Sequence, residues 1–222
     1  MKTFSIGLPF VGRRATDYRS HGEKLADLAA RATIIVLFSF MAIRFGSDFL
    51  NTGRVTGLLL LASETLVVVL TVVRRSAAIV DRSLRARILT MVSTLGPPLL
   101  APAATLALLP QPATVFISCI GLAVVIAGKM TLGRSFALLP ANRGVVSSGI
   151  YGIVRHPIYS GYLITHVAFL LANPTLWNVV ALVAADTALL ARAVCEEDTL
   201  AKDPAYREYQ TRVRWRVAPR LF

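Results

Sequence analysis

The chain is organised by long apolar runs and by where its basic residues fall between them. Apolar segments extend over about Leu25–Ile43, Val55–Val73, Ile88–Leu109 and Ala113–Ala127. A last stretch, Tyr159–Ala193, is divided by Asn173-Pro174, a turn signal. Runs near twenty residues suit a hydrocarbon core of about 30 Å. The composition agrees: 55% of the 222 residues are hydrophobic and the mean hydropathy is +0.62, against roughly 45–50% apolar in soluble domains. The sequence therefore predicts an all-α, polytopic transmembrane helix bundle. It has five to six membrane segments, the last two forming a C-terminal helical hairpin.

The basic residues assign sides to these segments. Stretches 1–31, 74–87, 128–158 and 192–222 hold 6, 5, 4 and 7 Lys and Arg, which is 22 of 24, leaving only Arg44 and Arg54 elsewhere. Short loops rich in Lys and Arg stay cytoplasmic. Both termini are thus expected in the cytoplasm, and loop 128–158 and the tail are expected on one side, where they can build one site. The net charge of +12 follows this topology, so a nucleic-acid-binding domain is excluded as its explanation. Arg outnumbers Lys by 20 to 4, a composition associated with GC-rich bacteria, and the expected location is a bacterial inner membrane. The apolar stretch Phe4–Val11 is interrupted by Gly7 and Pro9 and is not expected to act as a signal peptide.

Local signals refine the segments. Pro97, Pro98 and Pro102 fall inside the third and should kink or break it. Pro110-Gln111-Pro112 reads as a tight turn. The first hairpin arm, Tyr159–Ala172, has only 14 residues, roughly 21 Å as a helix, so it is expected to fall short of a full crossing. The tail, 194–222, is charged and predicts one amphipathic helix. Organisation into N-terminal transmembrane helices (1–127) and a C-terminal functional region (128–222) follows, within one integral domain. Cys119 and Cys195 belong to no metal-ligating cluster, and no metal is expected. Neither a GxGxxG after a strand nor a P-loop is present, which argues against a soluble dinucleotide fold or an NTPase.

Three polar clusters remain once the apolar segments are set aside. The first is Ser147-Ser148-Gly149-Ile150-Tyr151-Gly152-Ile153-Val154-Arg155-His156-Pro157-Ile158-Tyr159-Ser160-Gly161. The second is Arg192-Ala193-Val194-Cys195-Glu196-Glu197-Asp198-Thr199-Leu200. The third runs from Tyr206 and Tyr209 to Arg214 and ends near Pro219. The ordered set Gly-x-Tyr, Arg-His-Pro-x-Tyr-x-Gly, an apolar hairpin, Glu-Glu-x-x-Leu and Tyr-x-x-Tyr with a basic end resembles the isoprenylcysteine carboxyl methyltransferase and phospholipid methyltransferase superfamily. The resemblance covers about residues 131–219.

That resemblance implies an S-adenosyl-L-methionine-dependent methyltransferase with a cytoplasm-facing cofactor site. It assigns cofactor contacts to Val145, Val146, Tyr151, His156, Pro157, Ile158, Tyr159 and Glu196. It assigns the acceptor to Arg192, as the catalytic and substrate-binding residue. The implied acceptor is lipophilic and enters from the bilayer. The residue types suit such a donor, whose ammonium, carboxylate, ribose hydroxyls and base call for an anion, hydrogen-bond donors and aromatic walls. Methyl transfer from a sulfonium is an in-line displacement, accelerated largely by alignment. A carboxylate acceptor is already ionised at neutral pH, and Arg192 would orient it; a phosphoethanolamine head, needing deprotonation, is the alternative acceptor.

Taken singly, each residue also has a plainer reading. Arg192 and Glu196 are i, i+4 and make an ordinary helix pair. Pro157 can simply open a helix at N1. Tyr151 and Tyr159 can be interfacial aromatics, and Tyr206 and Tyr209 packing residues. Arg212, Arg214, Arg216 and Arg220 fit an electrostatic anchor to anionic membrane lipid. Glu64, His166 and Asp186 fall inside apolar segments, where ionisable residues face protein, water or a partner. They fit a transporter as a rival reading, although transporter sites gather at the midplane and the densest motifs here lie at the cytoplasmic ends.

Overall fold

The computed structural model describes residues 21–73, 79–80, 83–103, 106–132, 141–142 and 145–222. Arg13, Arg14, Arg19, Arg74, Arg75, Arg82, Arg134 and Arg143, all part of the charge partition, lie outside them. The chain forms two compact units, Met1–Ile35 and Val36–Phe222. The first holds the start of helix α1 (His21–Thr52), and the second holds the rest of that helix and every element described below.

The described residues form seven α-helices: α1, α2 (Thr56–Val73), α3 (Leu84–Leu95), α4 (Gln111–Leu132), α5 (Pro157–Ala172), α6 (Leu176–Leu200) and α7 (Pro204–Arg212). A two-residue antiparallel pairing, Ile79–Val80 with Ala141–Asn142, is the small exception to an all-helical architecture. Two of these helices, α4 and α6, are long and apolar enough to cross a membrane; α5 is apolar but shorter. Much of the apolar surface is outward, with Ile43, Phe116, Val183 and Leu176 exposed, as lipid contact requires.

Several segments depart from their expected form. The third is not one helix. Helix α3 stops at Leu95, a 3-10 turn covers Pro97–Leu99, and Leu100 is extended. Two successive prolines remove two backbone donors and force this break. The freed backbone finds side-chain partners: Asn178 takes the amide N–H of Ala101 at 3.0 Å and donates to its carbonyl at 2.9 Å. Asn173 accepts from the Ala103 amide at 3.0 Å, and Arg54 donates to the Ala103 carbonyl at 2.6 Å. Non-helical backbone at membrane depth is tolerated under just these conditions. The loop expected from residue 128 begins later, because α4 runs to Leu132. Lys129, counted among the loop's basic residues, is 1% exposed inside the bundle. Likewise α6 continues seven residues past Ala193, so Cys195, Glu196 and Glu197 are helical. Arg155 and Arg192, also in the charge partition, are buried.

Loop positions alternate between two ends. Arg54, in the α1–α2 turn, reaches both the α3–α4 connection (Ala103) and the α5–α6 turn (Asn173 at 3.3 Å). The α2–α3 connection pairs with the α4–α5 connection through the small antiparallel bridge. This is the parity a hairpin-by-hairpin bundle demands.

Helices α4 and α5 approach closely because both carry glycine at the crossing. A Cβ on Gly121 would stand 2.8 Å from the Gly161 carbonyl oxygen, and one on Gly161 2.7 Å from the Gly121 carbonyl oxygen. Small residues at a crossing let helix backbones meet without side chains between them. This contact fixes the start of α5, and with it the Arg155-His156-Pro157 corner.

Candidate active site

The site lies where the start of α5, the end of α6 and the tail meet. Pro157 occupies the first turn of α5 and His156 is its N-cap; proline is pre-shaped for that position and has no N–H to lose. The tail returns alongside: the Arg155 amide donates to the Trp215 carbonyl at 2.9 Å and the His156 amide to the Arg216 carbonyl at 2.7 Å. This backbone pairing holds the Arg-His step in register with residues 213–217.

Glu197 is the hub, and sequence reasoning did not single it out. Its side chain is 4% exposed. Arg155 donates to both of its oxygens, from Nε at 2.7 Å and Nη2 at 3.1 Å. His156 Nε2 lies 3.1 Å from Oε1 and Arg216 Nε 2.9 Å from Oε2. The remaining Arg155 nitrogen, Nη1, donates to the carbonyls of Val213 and Arg214 at 2.8 and 2.9 Å. The bidentate fork is the geometry in which arginine surpasses lysine. A signal existed: a buried Arg beside a His calls for an anion, and the Glu-Glu pair offered two.

Glu196 points elsewhere on the same helix. Its Oε1 accepts from the Tyr159 hydroxyl at 2.7 Å and from Arg192 Nε at 3.0 Å. Its Oε2 stands 3.7 Å from His156 Nδ1, beyond hydrogen-bond range. The side chain is 15% exposed, more open than Glu197. The Arg192 guanidinium lies over the Tyr159 ring, 5.5 Å from its centroid, and that ring stacks with His156 at 5.3 Å. Arg192, Glu196, His156 and Tyr159 therefore form one contiguous group. The plain i, i+4 pairing of Arg192 with Glu196 is real, and it coexists with the group.

The other expected residues fall around it. Tyr151 is buried in the 3-10 turn Gly149–Gly152, and its carbonyl accepts the Tyr209 hydroxyl at 2.7 Å. Ile158 belongs to the core with Tyr159, Tyr162, Leu189 and Val217, and Pro157 is buried beside it. Val145 packs against Tyr206, Tyr209 and Val213, and Val146 is half-buried. Tyr206 and Tyr209 meet edge to face at 5.5 Å, as packing residues. Burial raises the pKa of Tyr151 and Tyr206 above the usual phenol value and pushes that of Tyr209 up to about 12. All three are neutral phenols at physiological pH, which lets Tyr209 act as a donor to Tyr151.

An open apolar groove runs between α3 and α6, lined by Leu89, Val179, Val183, Thr187, Ala188 and Ala191. Its lining residue Ala191 immediately precedes Arg192 in α6. No group of His, Cys, Asp and Glu among the described residues is arranged to hold a metal ion.

No curated protein matches this chain. A family model, that of the isoprenylcysteine carboxyl methyltransferase (ICMT) family, matches residues 104–202. The matched range takes in α4, the Arg155-His156-Pro157 corner, the hairpin, Arg192 and both glutamates. It stops short of α7 and the basic tail, which nonetheless supply Arg216 and the carbonyls that hold Arg155. Over residues 104–202, a little under half of its length, the chain is similar to the isoprenylcysteine carboxyl methyltransferase family.

Proposed function

We propose that this protein transfers a methyl group from S-adenosyl-L-methionine to a lipophilic acceptor, most simply a carboxylate of the isoprenylcysteine type. The observation that carries this reading is the division of labour between adjacent glutamates. Glu197 is consumed by Arg155, His156 and Arg216. Glu196 keeps one oxygen clear of hydrogen bonds to the surrounding group and part of its surface open.

The residues present suit the cofactor. Glu196 offers an anion to its ammonium, and the Tyr159 and His156 rings offer an aromatic wall. The sulfonium supplies an activated methyl group, so the protein has only to bind and align. Arg192 is the residue for the acceptor. It follows directly on Ala191, a lining residue of the α3–α6 groove, so an apolar chain lying in the groove would bring its polar end toward this part of α6. A carboxylate there needs no base, being ionised already, and a planar fork fixes both of its oxygens. The Arg192–Glu196 pair keeps the two partners of the reaction on one helix face.

The six-segment topology, the cytoplasmic termini and a bacterial inner membrane complete the proposal; the clustering of loops at two ends supports the first. The test is a labelled-methyl transfer assay with membrane lipid extract, products identified by mass, together with calorimetry of S-adenosylhomocysteine on the detergent-purified chain. Methylated lipid and saturable binding are expected. No saturable binding would remove the methyltransferase reading, and would leave a transporter built on Glu64, His166 and Asp186.

A further inference from the structure

The bundle interior holds a second polar cluster, two helical turns deeper than Arg192 and Glu196, which the methyl-transfer site does not use. It draws one residue or more from each of four helices. His166 of α5 places Nδ1 2.6 Å from Asp186 Oδ1 of α6. Lys129 of α4 donates to the Ser63 carbonyl of α2 at 3.0 Å and lies over the Tyr162 ring of α5, 5.1 Å from its centroid. Tyr162 and His166 stack at 6.2 Å. Glu64 of α2 is buried within electrostatic reach of Lys129, His166 and Asp186, and Arg192 is within reach of Tyr162.

Three atoms of this cluster are buried and make no hydrogen bond: Ser63 Oγ, the Tyr162 hydroxyl and His166 Nε2. Tyr162 is 8% exposed, His166 3% and Ser63 0%. Each unsatisfied buried group costs about 1–3 kcal/mol, and lipid has no water to offset it. The three residues belong to one contact network, Lys129 linking Ser63 to Tyr162 and Tyr162 stacking on His166, and their unmet polar atoms call for an occupant.

The chemistry of the occupant follows from the partners. The Asp186 carboxylate holds a proton on Nδ1, so His166 in its neutral form presents a lone pair at Nε2. Tyr162 presents an O–H. A group that donates to one and accepts from the other is a hydroxyl or an N–H group. A carboxylate would lack the proton for that lone pair, and Glu64 and Asp186 already oppose the cluster's Lys129. From Tyr159 to His166 is seven residues of helix, about 10 Å.

We propose that Tyr162 and the His166–Asp186 pair form a second anchor for the lipophilic acceptor, binding a hydroxyl or N–H group carried about 10 Å along the molecule from its methylated end. This rests on the methyltransferase reading. It makes the acceptor a lipid with two polar points, one at Arg192 and one in the bundle interior.

Histidine-selective nitrogen NMR on the full chain in detergent tests it, with decanol, decane and decanoate as probes and S-adenosylhomocysteine calorimetry in parallel. The chain has three histidines, His21, His156 and His166, and His166→Asn assigns the signal. Decanol should shift His166 Nε2 saturably, whereas decane and decanoate should not. Tyr162→Phe removes a single hydroxyl and should weaken the decanol response roughly tenfold while leaving S-adenosylhomocysteine affinity intact. No decanol shift, or the same shift with decane, overturns the anchor even if the cofactor product binds. A decanol shift without S-adenosylhomocysteine binding overturns its assignment to a methyl acceptor.

Discussion

Replacing Glu197 with glutamine should unfold the site before it affects chemistry. The carboxylate is 4% exposed and the Arg155 side chain 8%, so both charges have left water and depend on each other. Glutamine keeps the shape and one acceptor oxygen. Its amide nitrogen, however, would face a guanidinium donor where Oε1 or Oε2 now accepts. Breaking a buried pair by removing one partner costs about 3–5 kcal/mol. Two features set the value near the lower end. Arg155 retains the carbonyls of Val213 and Arg214, and Arg216 is 35% exposed, so its pairing contributes little. The expected loss is about 3 kcal/mol. Thermal denaturation in detergent measures it, and limited proteolysis reads the local consequence: cleavage at Arg214 and Arg216 should accelerate as the tail detaches from residues 155–156. A Glu197→Gln protein within about 1 kcal/mol of wild type, with a protected tail, would refute the hub, because it would mean that Arg155 is satisfied by carbonyls alone.

Four further outcomes are expected. Glu196→Gln should weaken S-adenosylhomocysteine binding by about 1.5–3 kcal/mol, the worth of one charge-assisted hydrogen bond, with little change in melting temperature; calorimetry and melting on one sample separate it from Glu197→Gln. Arg192→Lys should reduce turnover while largely sparing cofactor affinity, because lysine keeps the charge and loses the planar fork; wild-type turnover would make Arg192 structural. Gly161→Ala should cost about 1–3 kcal/mol of stability, since its Cβ would stand 2.5 Å from Val125 Cγ2 and 2.7 Å from the Gly121 carbonyl oxygen and the latter cannot rotate away; an unchanged melting temperature would show that the crossing is loose. Reporter fusions at Lys2 and Phe222 should both read cytoplasmic, and a periplasmic C-terminus would dismantle the shared-site topology.

Apolar runs, prolines and the order of the polar motifs were all legible from the chain alone, because each is a local property. Length and hydropathy set α2, α5 and the start of α6 to within a few residues, while α6 runs seven residues past its expected end. The proline pair announced the break after α3, and Asn173 the turn at Ala172. Motif order led to the family that residues 104–202 match. What the sequence left undecided was which of several similar residues meet. Glu196 and Glu197 are neighbours of one type, yet a helix turns them about 100° apart. One therefore closes on Arg155, His156 and Arg216, while the other turns to Tyr159 and Arg192. Lys129 read as a loop cation because it follows an apolar run, but only the packing of α2, α4 and α5 brings it beneath Tyr162 and onto the Ser63 carbonyl. Glu64, His166 and Asp186 stood as three separate anomalies in three apolar segments. Their meeting is a long-range event, set by how α2, α5 and α6 pack together, and no pattern along the chain encodes that packing.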